Sequence, residues 1–522
     1  MECKRVHSTT QTITPIRPNR FRWVYCQLEA LRHCFPTSVR HMLKELPKSL
    51  DETYERILMG INKANQQHAH RLLQCLTVAV RPLRVSELAE VLAVDFGTAP
   101  GSDASKLETD WRWEDQEDAI LMTCSSLIAV VEGDEHTSQD EAASQSEDVS
   151  ESDDGSLVVG SSHSHRSRAV QFSHFSVKEY LTSLRLSASD VDISRFHILL
   201  ELAHTIMARA CLSTLLRLDD MSDEDIVRDR FPLSRYAAKH WVTHAQFDDV
   251  SSRIWQGMKI LFDPDKPSFS AWIRTYDIDV LPTYTSTFHY FSTKAVDATP
   301  LYYAALCGFH DVVQHLINKC SQDVNDTGGV FVSPLVAALA MEHYEVAELL
   351  YQHGAQVDVQ GSCERTPMYA ASIWGRFKPV RWLLRRGADS NRQDSSDGRA
   401  ALHEAARRGD LEMAQTLLQH NADPNIQDHE GQIPLHWASE YGRTNVARLL
   451  LEQGVDVNAR TEDGSTPLHL ASKNGELEVA RLLIEHGADR DAEDHKGRTP
   501  FQVASKNGES GMAELLSDHS SR

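Results

Sequence analysis

The stretch "TPLHLASKNG" at residues 466–475 recurs, with substitutions, throughout the C-terminal half of this 522-residue chain. Seven copies align, and neighbouring copies start 33 or 34 residues apart. The copies start at residues 299, 333, 366, 400, 433, 466 and 499. A fixed period of this length is typical of a repeat protein, in which each unit needs its neighbours to bury its apolar face.

The residue types in the motif predict one helix pair per copy. Thr466 suits a helix N-cap, and Pro467 suits the first helical turn, where no backbone N–H is needed. Gly475 is expected to end this helix, and "ELEVARLLIEH" (476–486) has the apolar spacing of a second helix. The motif and its period resemble ankyrin repeats. The resemblance implies a solenoid of helix pairs joined by hairpin fingers.

A histidine recurs in the motif, as His403, His436 and His469. The other copies replace it with Tyr302, Val336, Tyr369 and Gln502. A row of metal ligands or catalytic bases would not tolerate these replacements, whereas a hydrogen bond within each repeat would. We therefore predict a structural role for the three histidines and no metal site.

The ankyrin resemblance also implies where a partner binds. In the family, the fingertips and the exposed ends of the first helices form a concave face that carries most partner contacts. By motif position, the predicted protein-binding residues are Ile373, Trp374, Arg407, Arg408, Glu440, Tyr441, Lys473 and Asn474. Tryptophan, tyrosine and arginine are enriched in binding hot spots. Any one of them alone would pass for an ordinary surface residue, but the row as a whole favours binding.

The N-terminal half contains a segment with strand-like spacing. Ser86 suits the N-cap of a helix that includes Leu88 and Leu92. "DAILMTCSSLIAVVEG" (118–133) predicts a helix running into a strand, and "AVQFSHF" (169–175) predicts a returning strand. This order of elements is typical of a winged helix.

The segment between the two predicted strands is strongly acidic. Residues 132–154 contain ten acidic residues and no Lys or Arg, which predicts a disordered loop. A wing of this charge disfavours the DNA-binding role of a winged helix.

The predicted fold is mainly α: a helical arm and a winged helix with a small β wing, followed by a seven-repeat ankyrin solenoid. The predicted segments are a disordered tail (1–20), the arm (21–82), the winged-helix domain (83–185) with an acidic disordered insertion (132–168), a helical linker (186–290) and the ankyrin domain (291–522).

The stretch "FSHFSVKEYL" (172–181) has the residue types of a catalytic site, but its spacing predicts a helix start. Ser176 and Glu179 fit the S-x-x-E capping box, in which each side chain bonds the other residue's amide. Phe175 and Tyr180 fit the hydrophobic staple around such a cap. We therefore predict structural roles for Ser176 and Glu179 and no catalytic residue.

Six stretches together resemble the region after the nucleotide-binding core of fungal NACHT-type (STAND) signal-transduction ATPases. They are "FRWVYCQLEALR" (21–32), "LPKSLDETYERIL" (46–58), "RPLRVSELAEVLAV" (81–94), "CSSLIAVV" (124–131), "QFSHFSVKEYL" (171–181) and "FPLSRYAAKHWVTHA" (231–245). The resemblance implies that the arm and the winged helix relay ligand state to an ATPase.

One departure from that family concerns its phosphate loop, GxxxxGK[ST]. The sequence contains no Gly-Lys dipeptide, and the resemblance begins at Phe21, which leaves no room for the nucleotide-binding core. We therefore expect no enzyme activity, no ATP binding and no cofactor. A truncated gene model and a short paralogue both remain open as explanations.

Composition narrows the remaining function classes. The net charge of −22 argues against broad nucleic-acid binding, and the nine scattered cysteines without a CxxC motif indicate a reduced compartment. The longest apolar runs, such as "LLQCLTVAV" (72–80), are too short to span a membrane. We expect a location in the cytoplasm, with the nucleus as an alternative.

The leading interpretation is a protein-binding scaffold or sensor of an intracellular signalling pathway. Its partner would sit on the concave ankyrin face, and a NACHT ATPase acting in trans is one candidate partner. The alternatives are part of an ATP-dependent signalling switch and, less favoured, a winged-helix regulator that binds nucleic acid.

Overall fold

The computed structural model describes residues 49–94, 120–121, 124, 126–132, 168–218, 230–279, 298–331, 333–359 and 366–517. The chain divides into two compact units, which are described separately. The first comprises Met1–Leu261 and Ser270–Tyr276, and the second comprises Phe262–Phe269 and Asp277–Arg522. The predicted tail at 1–20 and residues 133–167 of the acidic insertion lie outside the described residues.

The first unit is mainly helical. Its helices are α1 (Leu50–Met59), α2 (Gln66–Val78), α3 (Val85–Leu92), α4 (Phe175–Leu181), α5 (Leu184–Ser187), α6 (Val191–Ser194), α7 (Leu200–Leu215), α8 (Ser234–Ala245), α9 (Val250–Arg253) and α10 (Trp255–Leu261). A further helix, α11 (Pro267–Thr275), crosses the boundary between the units. The longest, α7, packs against α2 and α8, and the indoles of Trp241 and Trp272 meet edge to face at 5.2 Å.

Three short strands form one antiparallel sheet in the order β1 (Leu83–Arg84), β3 (Arg168–Phe172) and β2 (Ile128–Glu132). Leu83 pairs with Val170, and Ile128 pairs with Phe172. Strands are therefore present in both segments where the sequence predicts them. Leu83 and Val170 are fully buried, so the sheet adds to the core of this unit.

Helix α3 begins earlier than predicted. Its N-cap is Arg84 rather than Ser86, and the backbone N–H of this N-cap is satisfied by Glu87, a residue inside the helix. The buried Glu87 carboxylate accepts the Arg84 backbone N–H at 2.7 Å and two hydrogen bonds from the Arg81 guanidinium at 2.6 and 2.8 Å. This ion pair holds the helix start, so no serine cap is needed.

Helix α4 also begins earlier than predicted, and the capping box is not formed. Its N-cap is His174, whose Nδ1 accepts the Ser176 backbone N–H at 3.2 Å. An imidazole can make this bond across two residues of extended backbone, so the helix starts at Phe175. Ser176 is therefore inside the helix, and Glu179 is exposed on its surface.

The Ser176 side chain links two helices instead of capping one. It is 5% exposed, and its Oγ lies 2.6 Å from His174 Nδ1 and 2.8 Å from the hydroxyl of Tyr54 on α1. The predicted staple is likewise wrong, because Phe175 is 55% exposed. Tyr180 packs instead on Tyr54, with 5.3 Å between ring centres.

A chain of hydrogen bonds between neutral side chains crosses the core of the first unit. The Val80 backbone N–H donates to the Tyr236 hydroxyl at 3.2 Å, and this hydroxyl lies 2.9 Å from His244 Nε2. His244 Nδ1 lies 3.0 Å from Nδ1 of His204. Burial lowers the pKa of His244 to about 3, so this ring stays uncharged at neutral pH.

The second unit is built from consecutive helix pairs. They are α12 (Pro300–Leu306) with α13 (His310–Cys320), α14 (Pro334–Ala340) with α15 (Tyr344–Gln352), α16 (Pro367–Ile373) with α17 (Phe377–Arg385), α18 (Ala401–Arg408) with α19 (Leu411–Gln419), α20 (Pro434–Glu440) with α21 (Thr444–Glu452), α22 (Pro467–Asn474) with α23 (Leu477–Glu485), and α24 (Pro500–Asn507) with α25 (Ser510–Ser517). The first helix of each pair packs on the first helix of the next, and second helices contact second helices.

The helix ends follow the predicted mechanics. Thr466 is the N-cap of α22, Pro467 is its first residue, and Gly475 ends it with a left-handed φ of 71°. Fingers between pairs are joined by single backbone hydrogen bonds of 2.9 Å, such as those from His429 N to the Asp397 carbonyl and from Glu462 N to the Glu430 carbonyl.

The segment before the first helix pair closes that end of the second unit. Tyr302, at the motif histidine position, donates to the buried Asp279 carboxylate at 2.7 Å, and the other carboxylate oxygen accepts the Val330 N–H at 2.6 Å. The Phe331 N–H donates to the Tyr302 hydroxyl at 3.0 Å. Burial raises the pKa of Asp279 to about 6. Tyr302 therefore replaces the motif histidine in this copy because it binds Asp279, a partner that the central copies do not have.

We predict that Ser176→Ala destabilises the first unit by ~1–2 kcal/mol, because the buried Tyr54 hydroxyl and the half-buried His174 ring each lose a hydrogen-bond partner. The matched variant Glu179→Ala should change stability by less than ~0.5 kcal/mol, as expected for an exposed position. Urea titration with hydrogen exchange read on peptides from α1 and α4 measures both values. Equal losses in the two variants would instead support the capping box.

Candidate protein-binding surface

The predicted binding residues lie at the same place in successive helix pairs. Each is at, or directly after, the last turn of a first helix: α16, α18, α20 or α22. We call them the helix-end row: Ile373, Trp374, Arg407, Arg408, Glu440, Tyr441, Lys473 and Asn474. The structure therefore places the predicted residues in register along the repeat region.

Part of the helix-end row links neighbouring repeats. The last carbonyls of a helix have no partner within it and need donors from elsewhere. Arg408 Nη1 donates to the Ile373 carbonyl at 3.1 Å, and Asn474 Nδ2 donates to the Glu440 carbonyl at 2.7 Å. The side chains of Arg408 and Asn474 thus cap the preceding first helix, a structural role that needs no bound partner.

Two more members of the row are held by their neighbours. The Trp374 ring meets Phe331 edge to face at 5.0 Å and is only partly accessible. Lys473 Nζ lies 3.2 Å from Glu440 Oε1, so these two charges offset each other. Neither pair presents a free hot-spot side chain.

Tyr441 is the most accessible large aromatic residue of the row, with 39% of its surface exposed. Its ring lies parallel to the indole of Trp437, with 6.0 Å between centres and 5° between planes. Trp437 Nε1 donates to the Asp428 carboxylate at 3.0 Å, which fixes the indole. The Tyr441 ring is therefore supported from below by an anchored side chain.

Guanidinium groups lie over both rings. Arg399 is 4.3 Å from the centre of the Trp437 ring, and Arg407 is 5.8 Å from the centre of the Tyr441 ring. Arg407 also binds the Glu404 carboxylate through Nε at 2.8 Å and Nη2 at 2.6 Å. These hydrogen bonds raise the pKa of Arg407, so the group stays charged. The result is an ordered cation–aromatic cluster.

Sequence reasoning predicted two members of this cluster and missed the others. Arg407 and Tyr441 belong to the predicted row, whereas Trp437, Arg399 and Glu404 were not selected. Trp437 follows the motif histidine, where the regular copy at 466–475 has Leu470. Tyr303 and Glu404 occupy the same motif position in other copies, so the position has no regular residue type. The tryptophan itself, a residue type enriched in binding hot spots, was the signal that could have identified Trp437.

The three motif histidines each join two repeats. His436 Nδ1 accepts the Ile433 N–H at 3.1 Å, and its Nε2 lies 3.1 Å from the Ala459 carbonyl in the next finger. His403 and His469 also accept a backbone N–H on Nδ1, and their Nε2 atoms lie 3.0 and 2.9 Å from the Gln432 and Arg498 carbonyls, which are elsewhere in the next finger. Because Nδ1 accepts, Nε2 carries the proton and donates, and the ring is neutral. The prediction was a bond within each repeat; the structure adds one to the following repeat.

Burial keeps these histidines uncharged. Desolvation lowers the pKa of His436 to about 4 and also lowers the pKa of His403 and His469. A second proton would have to sit on Nδ1, where the backbone N–H already points. The rings therefore serve as fixed connectors.

The described residues offer no metal site of three or more His, Cys, Asp or Glu side chains.

Burial raises the pKa of Cys75 and of Cys124 to about 12, so both remain thiols. The hydroxyl of Ser176 contacts a histidine, but the residue is buried and the hydroxyl also contacts Tyr54. Across the described helices, none is both long and apolar enough to cross a membrane.

Comparison with known families identifies the repeats. Residues 284–361, 301–394, 367–461 and 456–522 match the family described as ankyrin repeats (3 copies). The C-terminal region of this chain therefore consists of ankyrin repeats.

Several known proteins are similar to parts of this chain. Azaphilone pigments biosynthesis cluster protein L of Monascus ruber is 30% identical over 326 residues, which are 60% of this chain and 61% of that protein. Ankyrin repeat protein nuc-2 of Neurospora crassa is 28% identical over 235 residues, which are 36% of this chain and 22% of that protein. The chain thus spans about three fifths and one fifth of these two fungal relatives.

We predict that His436→Gln lowers stability at pH 7 by ~1–2 kcal/mol, because one of two buried hydrogen bonds is weakened. Glutamine is the matched choice, since Gln502 Oε1 accepts the Thr499 N–H at the equivalent position. The variant His436→Ala should lose more stability than His436→Gln, because it removes both hydrogen bonds and leaves a cavity.

The stability difference between wild type and His436→Gln should shrink as the pH falls. The folded pKa of about 4 lies below the unfolded value of 6.5, so only the unfolded chain takes up a proton between these values. The histidine's contribution is complete above pH 6.5 and is lost on acidification towards pH 4. Urea titrations from pH 7 to 5 measure this difference, and a constant difference would contradict a neutral, buried ring.

Proposed function

We propose that this chain is a non-catalytic scaffold or sensor that binds a protein partner on the concave face of its ankyrin repeats, at the helix-end row. The observation that carries the proposal is the cluster of Tyr441, Trp437 and Arg407. In this cluster the accessible Tyr441 is held in a fixed position by the buried Trp437 and the half-buried Arg407, and the residue types are those enriched in binding hot spots.

The order of this cluster supports a binding role. A side chain that is already held in one position loses little conformational entropy when a partner arrives. Glu404, which is 3% exposed, holds Arg407, and Asp428 holds Trp437, while Tyr441 stays accessible. If this surface served only to stabilise the repeats, it would not need an exposed tyrosine stacked on an anchored indole.

We propose further that every helix pair from α12–α13 to α24–α25 is one ankyrin repeat, which gives seven. The 33–34-residue period and the proline at the start of six of the seven first helices support this count. Seven repeats would extend the binding face well beyond the central cluster.

For the first unit, we propose a winged helix of the NACHT type. Supporting this are the three-stranded antiparallel sheet, the position of α3 between β1 and β2 in the chain, and the long segment that separates β2 from β3. The six sequence stretches that resemble NACHT-type ATPases point the same way. In this proposal the unit acts as a sensor arm, and a NACHT ATPase in trans is a candidate partner.

The main alternative is that this sequence is part of an ATP-dependent signalling switch. A nucleic-acid-binding regulator is less favoured, because the chain carries a net charge of −22 and ten acids lie between residues 132 and 154.

A photo-crosslinking experiment tests the binding face. With p-benzoylphenylalanine at position 441, we expect covalent adducts with a defined protein in an extract of the source organism. Position 351 is the matched control, because Tyr351 is 38% exposed but lies on the second helix α15. Equal adducts at both positions, or adducts at 351 alone, would contradict the proposal.

A nucleotide titration separates the scaffold from the ATP-dependent alternative. We expect calorimetry with ATP and Mg²⁺ to give no saturable heat, because the chain has no phosphate loop with its lysine. A saturable signal in the micromolar range would support the alternative.

A further inference from the structure

Two arginines near the ends of the first helices α18 and α20 present positive charge at the surface. Arg408 and Arg443 are both exposed, and they donate to the Ile373 and Arg407 carbonyls at 3.1 and 3.0 Å. Within the part of the chain that the structure describes, neither forms an ion pair with an acidic side chain. Each therefore keeps its full charge and most of its N–H donors.

Both arginines are held against the protein by glycines of the preceding repeat. Gly375 and Gly409 have left-handed φ values of 63° and 76°. A Cβ at Gly375 would overlap Arg408 Nη2, and a Cβ at Gly409 would lie 2.7 Å from Arg443 Cδ. The two side chains thus lie across the glycines, which fixes where their charges are presented.

Two acidic residues that support this cluster are buried, whereas the arginines are partly or fully accessible. The carboxylates of Glu404 and Asp428 are buried beneath Arg407 and Trp437. Further along, the sign changes, because Glu476 and Glu509 lie across Gly442 and Gly475. The arginines thus lie toward the repeats that precede Tyr441, and Glu476 lies toward the repeat that follows it.

We propose that this surface, formed by Arg407, Arg408, Trp437, Tyr441 and Arg443, binds an extended acidic segment of the partner protein that also carries an aromatic residue. The guanidinium groups would pair with Asp or Glu carboxylates, and the Trp437–Tyr441 stack would take the aromatic ring. The proposal rests on the proposed function and specifies the chemistry of the partner. The net charge of −22 repels polyanions at long range, so binding of one requires a local cationic surface.

The probe is a fluorescein-labelled random copolymer of glutamate and tyrosine, compared with a length-matched copolymer of lysine and tyrosine. The test variant is the double substitution Arg408→Asn and Arg443→Gln in the full chain. It removes both charges but keeps hydrogen-bond donors, since Asn474 and Asn507 already cap the equivalent carbonyls. The matched control is Arg448→Asn with Arg481→Gln, two exposed arginines on the second helices α21 and α23.

Fluorescence anisotropy should show binding of the glutamate–tyrosine probe that weakens as ionic strength rises from ~0.05 to ~0.15 M. The test variant should weaken it about fivefold, and the control variant by less than about twofold. Equal losses in both variants, or no binding of the acidic probe, would overturn the proposal. If position 441 still crosslinks a partner in that case, the binding face stands and only its acidic preference is wrong.

Discussion

The contact on which the repeat region depends is the histidine that joins the start of one first helix to the finger that follows. In His436, one ring nitrogen accepts the Ile433 N–H and the other donates to the Ala459 carbonyl. An ankyrin repeat cannot bury its apolar face alone, so contacts of this kind set how neighbouring repeats align. In the copy that starts at residue 499, Gln502 replaces the histidine and its Oε1 accepts the Thr499 N–H. Where another segment precedes the repeats, Tyr302 binds Asp279 instead.

This alignment determines what the surface can do. The ends of successive first helices come into register, and each takes a cap from the next repeat. Side chains at these ends therefore have fixed positions before any partner arrives, which limits the entropic cost of binding. Tyr441 on its Trp437 support illustrates the outcome, because the contacts that stabilise the stack also order its exposed part.

Sequence patterns that act within one helix predicted the repeats well, whereas contacts between residues far apart in the chain were predicted poorly. Thr466, Pro467 and Gly475 act within one helix, and the structure confirms their roles. Ser176 was misassigned, because its decisive partner, Tyr54, is 122 residues away and a histidine makes the cap. Tyr441 is supported by Trp437, one turn earlier in the same helix, and by Arg407 of the preceding repeat, and neither residue type recurs with the period of the motif. A motif alignment therefore identifies the row but not which of its residues are accessible.

The most direct test of the binding face is hydrogen exchange of the full chain with and without the protein captured at position 441. We expect the partner to slow exchange in the ends of α18 and α20 and in the adjoining fingers. Exchange in the second helices α19 and α21 should change little. Protection confined to those second helices would contradict the central claim that the helix-end row is the binding surface.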